Sequence, residues 1–191
     1  KCITHGHGGS LLQHLKELSL HTDVKRKDKM LFLTTCGWMM WNWTVSNLLL
    51  GSSVTLYDGS PFYPSKDRVI HLTKKSKSNM LGAGAKIYEA IQNNHNPKKK
   101  NILPFIKCFI STGSPLSNLT FRFINQYLNK KSFIHSISGG TDIVSCFMLG
   151  VPTIPVYAGE IQGPGLGMNI DVFNEKGKMT KMTGELVCKT P

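Results

Sequence analysis

The sequence lacks the marks of a membrane-spanning, disulfide-rich or zinc-binding protein. No apolar run reaches the roughly 20 residues that a membrane helix needs, because even the longest, Met39–Leu50, is interrupted by polar side chains. The five cysteines are odd in number and include no C-x-x-C pair, which argues against a disulfide framework and a zinc site. No secretory signal opens the chain. A reducing, cytosolic setting is therefore expected.

Acidic residues are also scarce, since 11 Asp and Glu stand against 23 Lys and Arg, a formal net charge of +12. Such an excess could neutralise nucleic-acid phosphates. The basic residues, for example Lys98-Lys99-Lys100, lie between the periodic segments, and no aromatic residues interleave with them as a base-stacking surface requires. We therefore expect a solvated surface and no nucleic-acid binding, with a steering field for anionic ligands as the alternative.

Strand-like and helix-like segments alternate along most of the chain. Strands are predicted at residues 29–34, 53–57, 78–81, 106–112 and 132–137, with short later strands near 154–157, 169–173 and 185–188. Helices are predicted at residues 10–20, 41–50, 66–74, 85–93 and 116–128. Strands that alternate with helices form right-handed βαβ units. The sequence thus predicts an α/β fold with a mostly parallel sheet and flanking helices.

The pattern changes at about residue 150, where the helical segments stop. Pro152 and Pro155 are followed by a run of glycines between residues 159 and 167, and the later segments have the look of short antiparallel strands. We therefore predict an α/β domain over residues 1–150 and the start of a β-rich subdomain over residues 151–191.

A small-residue turn follows the strand that ends near Ser136. In Gly139-Gly140-Thr141-Asp142 the glycines let backbone N–H groups approach a ligand, the Thr hydroxyl can donate to a phosphoryl oxygen, and the Asp can carry Mg²⁺. The same residues also form ordinary turns. Gly113-Ser114-Pro115 follows a second strand in the same way, and ligands collect at the carboxyl ends of parallel strands. Together the two turns favour a ligand site at one edge of the sheet.

Four segments in register resemble one enzyme family. They are Gly37–Trp43, Leu56–Phe62, Ser136–Asp142 and Gly184–Cys188. Over essentially its whole length the chain resembles the adenylate-forming acyl-CoA synthetase superfamily and, within it, the acetoacetyl-CoA synthetases. Those proteins are several times longer, so the resemblance implies an internal, incomplete part of their large N-terminal (AMP-binding) domain. The implied reaction converts acetoacetate, ATP and CoA into acetoacetyl-CoA, AMP and pyrophosphate through an acyl-adenylate, with Mg²⁺.

The resemblance also implies roles for individual residues. It assigns ATP binding to Gly113, Ser114, Pro115, Ser136, Gly140, Thr141 and Lys1, the acyl pocket to Trp38, Met39, Met40, Thr112 and Gly139, and the Mg²⁺ ion to Asp142. Thr141 is implied to act in catalysis by contacting both the α-phosphate and the substrate carboxylate. Ser114 stands where relatives carry Glu. Gly139 stands where acetate-using relatives carry Trp, which implies room for a four-carbon keto acid.

Other interpretations of the same residues remain open. Trp41 and Trp43 are more typical of core packing, and Met39 and Met40 fill gaps in cores about as often as they line sites. The family's phosphate loop, ribose-binding aspartate and C-terminal lysine are not among these residues, so we expect the 191 residues alone to be inactive. The alternatives are a non-catalytic product with partial nucleotide or partner binding, and another short-chain acyl-CoA synthetase.

Overall fold

Five parallel strands form the centre of the fold in the computed structural model, which describes residues 2–189. They are β1 (Lys29–Phe32), β2 (Ser53–Thr55), β3 (Met80–Gly84), β4 (Cys108–Thr112) and β5 (Phe133–Ser136), in the spatial order β2-β1-β3-β4-β5. Every neighbouring pair is parallel. All five strands predicted over the first 150 residues are present, so the predicted α/β fold is confirmed.

Five helices accompany the sheet. They are α1 (His7–Lys16), α2 (Met40–Val45), α3 (Arg68–Ser76), α4 (Ala85–Asn93) and α5 (Asn118–Phe123). A π-helical turn extends α1 at Glu17–His21 and another extends α5 at Ile124–Leu128, while a 3₁₀ turn extends α2 at Ser46–Leu50. Ser117 caps α5, because its hydroxyl accepts a hydrogen bond from the backbone N–H of Thr120 at 3.2 Å. Within residues 2–189 no helix is both long and apolar enough to cross a membrane.

Successive residues of the central strands point alternately into two hydrophobic cores. Leu31, Leu81 and Phe109 pack with buried side chains of α3, α4 and α5 on one face of the sheet. Their neighbours on the other face, including Met30 and Met80, pack with α2 and with the segment that follows α1. This period of two is the geometry of a strand that is buried on both faces, and it explains why these strands have almost continuous hydrophobic sequences.

Gly82 lies within β3, although the strand was predicted to end at residue 81. Gly82 pairs with Phe32 of β1, and a Cβ atom there would overlap the Phe32 ring, whose Cγ would lie only 2.7 Å away. The glycine therefore creates the space that the aromatic ring fills, and the strand continues through it.

Residues beyond β5 form antiparallel structure. A three-stranded sheet contains β6 (Ser138–Gly140), β7 (Ser145–Leu149) and β8 (Gly163–Pro164), and a hairpin pairs β9 (Ile170–Phe173) with β10 (Glu185–Cys188). The strands predicted near 169–173 and 185–188 are confirmed. The strand predicted near 154–157 is wrong, because that segment follows Pro152 and contains Pro155, which cannot donate to a ladder. β7 was not predicted.

The domain boundary at residue 150 stays a prediction. β8 is hydrogen-bonded to β7, so the three-stranded sheet includes residues from both sides of that position.

His135 of β5 is the buried ionisable group with the clearest consequence for stability. Burial first, and then the nearby His21 and Lys107, lower the pKa of His135 from 6.5 to about 4. The ring is 3% exposed, its Nδ1 lies 3.5 Å from the Cys108 sulfur, and its Nε2 has no partner. The folded chain therefore holds His135 as the neutral imidazole.

We expect Gly82→Ala to lower the free energy of unfolding by about 1–3 kcal/mol, the usual cost of inserting a methyl group into a packed core. Gly9→Ala is the matched control, since no atom lies within 4 Å of the Cβ position at Gly9 and alanine favours the helix. Urea denaturation of both variants measures the difference. Equal stability of the two variants would show that Phe32 can move aside at no cost.

The low pKa of His135 predicts a stability that falls in mild acid. Between pH 6.5 and about 4 the unfolded chain binds a proton that the folded chain does not. Stability is therefore complete above pH 6.5 and is lost as the pH falls toward 4, by up to about 3 kcal/mol. Urea denaturation at several pH values should give a smaller slope over this window for His135→Gln than for the unmodified protein. An unchanged slope would contradict the assignment.

Candidate functional site

A cleft of about 530 Å³ lies at the carboxyl ends of β4 and β5, beneath the β6–β7 hairpin. Among the residues predicted for the site, those that line the cleft are Trp38, Met39, Met40, Thr112, Gly113, Ser114, Pro115, Ser136, Gly139, Gly140 and Thr141. Asp142 is exposed and is not part of the lining, and Lys1 lies outside the described residues. The structure thus brings together residues that are up to about 100 positions apart in the chain.

The floor of the cleft is formed where two neighbouring strands end. Thr112 is the last residue of β4, and its hydroxyl donates to the carbonyl oxygen of Ile137 at 3.1 Å, which ties the end of β4 to the residue after β5. Gly113 then turns the chain with φ +83°, a backbone angle that favours glycine. Ser136 ends β5 and is buried. The adjacent parallel strands therefore place the hydroxyls of Thr112 and Ser136 at the same edge.

An apolar wall is formed by Trp38, Met39 and Met40 at the start of α2. Met39 and Met40 are buried in the core that contains Met30 and Met80, and the Trp38 ring meets the Phe32 ring edge-to-face with centroids 6.2 Å apart. Trp43, one helical turn further on, is fully buried and belongs to the core, as its residue type suggested. The side of this wall that faces away from the cleft is packed against the core. The core therefore holds the two methionines in place where they line the cleft.

The opposite wall is the β6–β7 hairpin, in which the two strands approach unusually closely. A Cβ atom at Gly139 would overlap the carbonyl oxygen of Ser145 and lie 2.8 Å from the Cα of Cys146. The pairing also shifts register between Ser138 and Gly139. Gly139 is therefore required by the backbone of the hairpin, whatever room it also leaves in the cleft. By contrast, the Cβ position of Gly140 meets no atom within 4 Å.

Thr141 and Asp142 occupy the tight turn of this hairpin. The Thr141 carbonyl accepts a hydrogen bond from the backbone N–H of Val144 at 3.2 Å, and the His5 ring approaches the same oxygen at 3.4 Å. Both side chains are exposed. The hydroxyl that lines the cleft and the carboxylate beside it thus stand at its mouth, where a ligand would enter.

Comparison with known proteins gives the family. A family model described as AMP-binding enzyme matches residues 1–191. The chain belongs to the AMP-binding enzyme family.

Individual relatives support this AMP-binding assignment. The chain is 45% identical over 190 residues to the acetoacetyl-coenzyme A synthetase of Rhizobium meliloti (strain 1021), covering 98% of this chain and 29% of that protein. It is 44% identical over 193 residues to the acetoacetyl-CoA synthetase of Gallus gallus, covering 100% of this chain and 29% of that protein. The resemblance to acetoacetyl-CoA synthetases that the four sequence segments predicted is thereby confirmed.

The fold agrees as well. The solved acetoacetyl-CoA synthetase from Streptomyces lividans superposes with a TM-score of 0.87 at 37% identity, over 99% of this chain and 30% of that one. The chain therefore spans about 29% of the length of the curated relatives it matches.

Several residues that line the cleft of this AMP-binding chain escaped the sequence prediction. They are Ile137, Ser138, Cys146, Gly159 and Ile161. Gly159 and Ile161 come from the loop between β7 and β8, where the Pro and Gly residues predicted turns but no contact with a ligand. Cys146 lies on β7, which no sequence pattern indicated. Burial, and then the neighbouring Glu17 carboxylate, raise the pKa of the Cys146 thiol well above its usual value, so it lines the cleft as an inert, protonated thiol.

Gly139 and Gly140 form a matched pair of adjacent glycines. We expect Gly139→Ala to break the close contact with Ser145 and so to speed amide hydrogen exchange across residues 145–149, because a Cβ atom cannot fit there. Gly140→Ala should leave that exchange unchanged, since its Cβ would meet open space. Mass spectrometry of amide hydrogen exchange across residues 145–149 measures the difference. Equal protection in both variants would mean that the hairpin tolerates a side chain at Gly139.

Proposed function

We propose that these residues form the nucleotide- and acyl-binding part of an acetoacetate–CoA ligase. The reaction joins acetoacetate and CoA at the expense of ATP, giving acetoacetyl-CoA, AMP and pyrophosphate through an acyl-adenylate. The observation that carries the proposal is the cleft, in which an apolar wall faces a wall of glycines and hydroxyls. The names of the similar proteins support acetoacetate as the acid. Since the chain spans 29% of their length, the activity is proposed for a protein of full synthetase length that contains it.

The polar part of the cleft suits the nucleotide. Gly113, Ser114 and Pro115 leave β4 in a turn without a bulky side chain, and the buried Ser136 stands beside them at the end of β5. A flat base can lie against such a turn while backbone groups and a hydroxyl contact its edge. Ser114 supplies no carboxylate, so recognition of the adenine at this position would depend on neutral groups.

The apolar part suits a short acyl chain. Trp38, Met39 and Met40 form one side of it and the hairpin forms the other. Thr141, at the mouth, stands next to the polar part, where its hydroxyl can contact both the acid and the α-phosphate.

The proposed reaction has two steps. In the first step a carboxylate oxygen of the acid attacks the α-phosphorus in line and pyrophosphate leaves. In the second the CoA thiol attacks the acyl carbon, the thiol proton is lost and AMP leaves. The protein's contribution is to align the reactants.

Asp142 fits a Mg²⁺ ion that accompanies the phosphates. Among residues 2–189 no group of three or more His, Cys, Asp or Glu side chains could hold a metal ion. Mg²⁺ does not need such a group, because it is usually held by one or two carboxylates together with substrate phosphates and water. An exposed carboxylate next to Thr141 meets that requirement. Mg²⁺ held there would neutralise phosphate charge during adenylation.

The cytosol is proposed as the compartment. Cys2 and Cys36 are free thiols exposed at the surface, which suits a reducing environment.

The proposal is tested by ATP–pyrophosphate exchange in a full-length protein that contains these residues, with acetoacetate and acetate as the acids. Exchange that depends on acetoacetate is the expected result. Faster exchange with acetate would favour another short-chain acyl-CoA synthetase. Absence of exchange with every acid would favour the non-catalytic alternative.

Asp142→Asn should lower this exchange by on the order of 10²-fold or more, the range seen when one electrostatic stabiliser is removed. The variant should still fold, because Asp142 is exposed and asparagine has nearly the same size as aspartate. Asp67→Asn is the control, since Asp67 is also exposed but precedes α3 and does not line the cleft. Exchange at the unmodified rate in Asp142→Asn would remove this carboxylate from the mechanism.

A further inference from the structure

Glu17 is a fully buried carboxylate that lies in the π-helical turn after α1. Its Oε2 accepts a hydrogen bond from the indole Nε1 of Trp43 at 2.9 Å. Its Oε1 accepts from the Ser145 hydroxyl at 2.5 Å, the Cys146 backbone N–H at 3.0 Å and the Gln13 amide at 3.1 Å. All of these contacts are donors, so the site fits the ionised carboxylate, which only accepts. A buried charge that is satisfied in this way is strongly fixed in position.

The donors to Glu17 come from the two walls of the cleft. Trp43 belongs to α2, whose start carries Met40 of the apolar wall. Cys146 belongs to β7 and lines the cleft itself, and it is paired with Gly139 of β6. Glu17 therefore stands behind the cleft and connects its apolar wall to its hairpin wall through one side chain.

The same helical segment holds β7 at both of its ends. The His14 ring contacts the carbonyl oxygen of Val144, just before β7, at 2.7 Å. The His21 ring contacts the carbonyl oxygen of Gly150, just after β7, at 2.8 Å, and accepts from the backbone N–H of Leu166 at 3.0 Å. Two members of this set also reach α2 or its extension. Glu17 bonds to Trp43 within α2, and the His14 ring contacts the Ser46 hydroxyl, in the 3₁₀ turn that extends α2, at 2.8 Å. Glu17 is the member whose partner lies within α2 itself, close to Met40, so a change at Glu17 should alter the position of the apolar wall while the hairpin remains attached to α1.

We infer that Glu17 is a positioning residue that sets the width of the acyl part of the cleft and with it the preference among acids. The inference rests on the proposed function, because it concerns the acid that the cleft accepts. Glu17 touches no substrate in this arrangement. It acts through Trp43 and Cys146, so its loss should change binding of the acid more than binding of ATP.

Glu17→Gln is the sharpest variant because it keeps the size of the side chain. A glutamine oxygen facing Ser145 and Cys146 would leave its NH₂ group facing the Trp43 N–H, and two donors in contact repel. Trp43→Phe removes that N–H and keeps an aromatic ring in the core. The double variant should therefore recover part of what Glu17→Gln loses, which a general loss of packing would not produce.

The experiment measures KM and kcat for acetoacetate, for acetate and for ATP in a full-length protein that contains these residues. In Glu17→Gln we expect KM for acetoacetate to rise about tenfold, because the displaced wall contacts the acid less well, and the acetoacetate-to-acetate ratio of kcat/KM to fall, while KM for ATP stays the same. Tyr88→Phe is the matched control. It removes a buried hydroxyl that bonds to Leu81 and Ile110 in the core on the opposite face, so it should change stability without changing acid preference.

Two results would overturn the inference. One is an equal loss for acetoacetate, acetate and ATP in Glu17→Gln, as in a variant that is merely less folded. The other is full additivity between Glu17→Gln and Trp43→Phe, which would show that the bond between the two residues does not set the cleft. If Glu17→Gln does not fold, Trp43→Phe alone must still shift the acid preference. Failure of the proposed function would be seen separately, as absent acetoacetate-dependent exchange in the unmodified protein.

Discussion

Parallel pairing of the five central strands is the constraint on which the rest of the structure depends. Because parallel strands all end at one edge, the turns that follow β4 and β5 are brought side by side, although they are separated by a whole helix in the chain. Helices on both faces bury almost all of the central strands β1, β3 and β4, so the edge is the part of the sheet at which polar residues can meet a ligand. The cleft is the space between this edge and the β6–β7 hairpin.

The hairpin needs a support of its own, because it lies beyond the last strand of the parallel sheet. That support is polar and buried. The segment from His14 to His21 contacts β7, the residues at its two ends and the loop near Leu166, and the contacts join residues 129 to 145 positions apart in the chain. Buried polar groups that are all paired fix one geometry, since any displacement leaves a donor or acceptor without a partner. An apolar contact would fix the position of the hairpin less strictly.

Charge has two separate uses in this chain. The surface carries the large excess of Lys and Arg, which suits anionic substrates such as ATP and CoA and requires no specific contact. Near the cleft, the described part of the chain buries the carboxylate of Glu17, and neutral donors compensate its charge. Salt weakens the attraction between the basic surface and anionic substrates, whereas burial protects the interactions of Glu17 from salt.

The sequence by itself determined the α/β class, the five parallel strands and the helices that accompany them, and the turns that follow β4 and β5. These follow from local patterns, namely short, nearly continuous apolar runs in strands such as β4 and helical spacing in α5. Only the tertiary structure decided that Cys146 and Ile161 line the cleft, that Gly139 is required by Ser145, and that Glu17 joins two walls. β7 is a short apolar run without alternation, which does not distinguish a strand from part of a helix, so the sequence did not predict it. Contacts such as that of Glu17 with Ser145 depend on packing between distant segments, which no local pattern encodes.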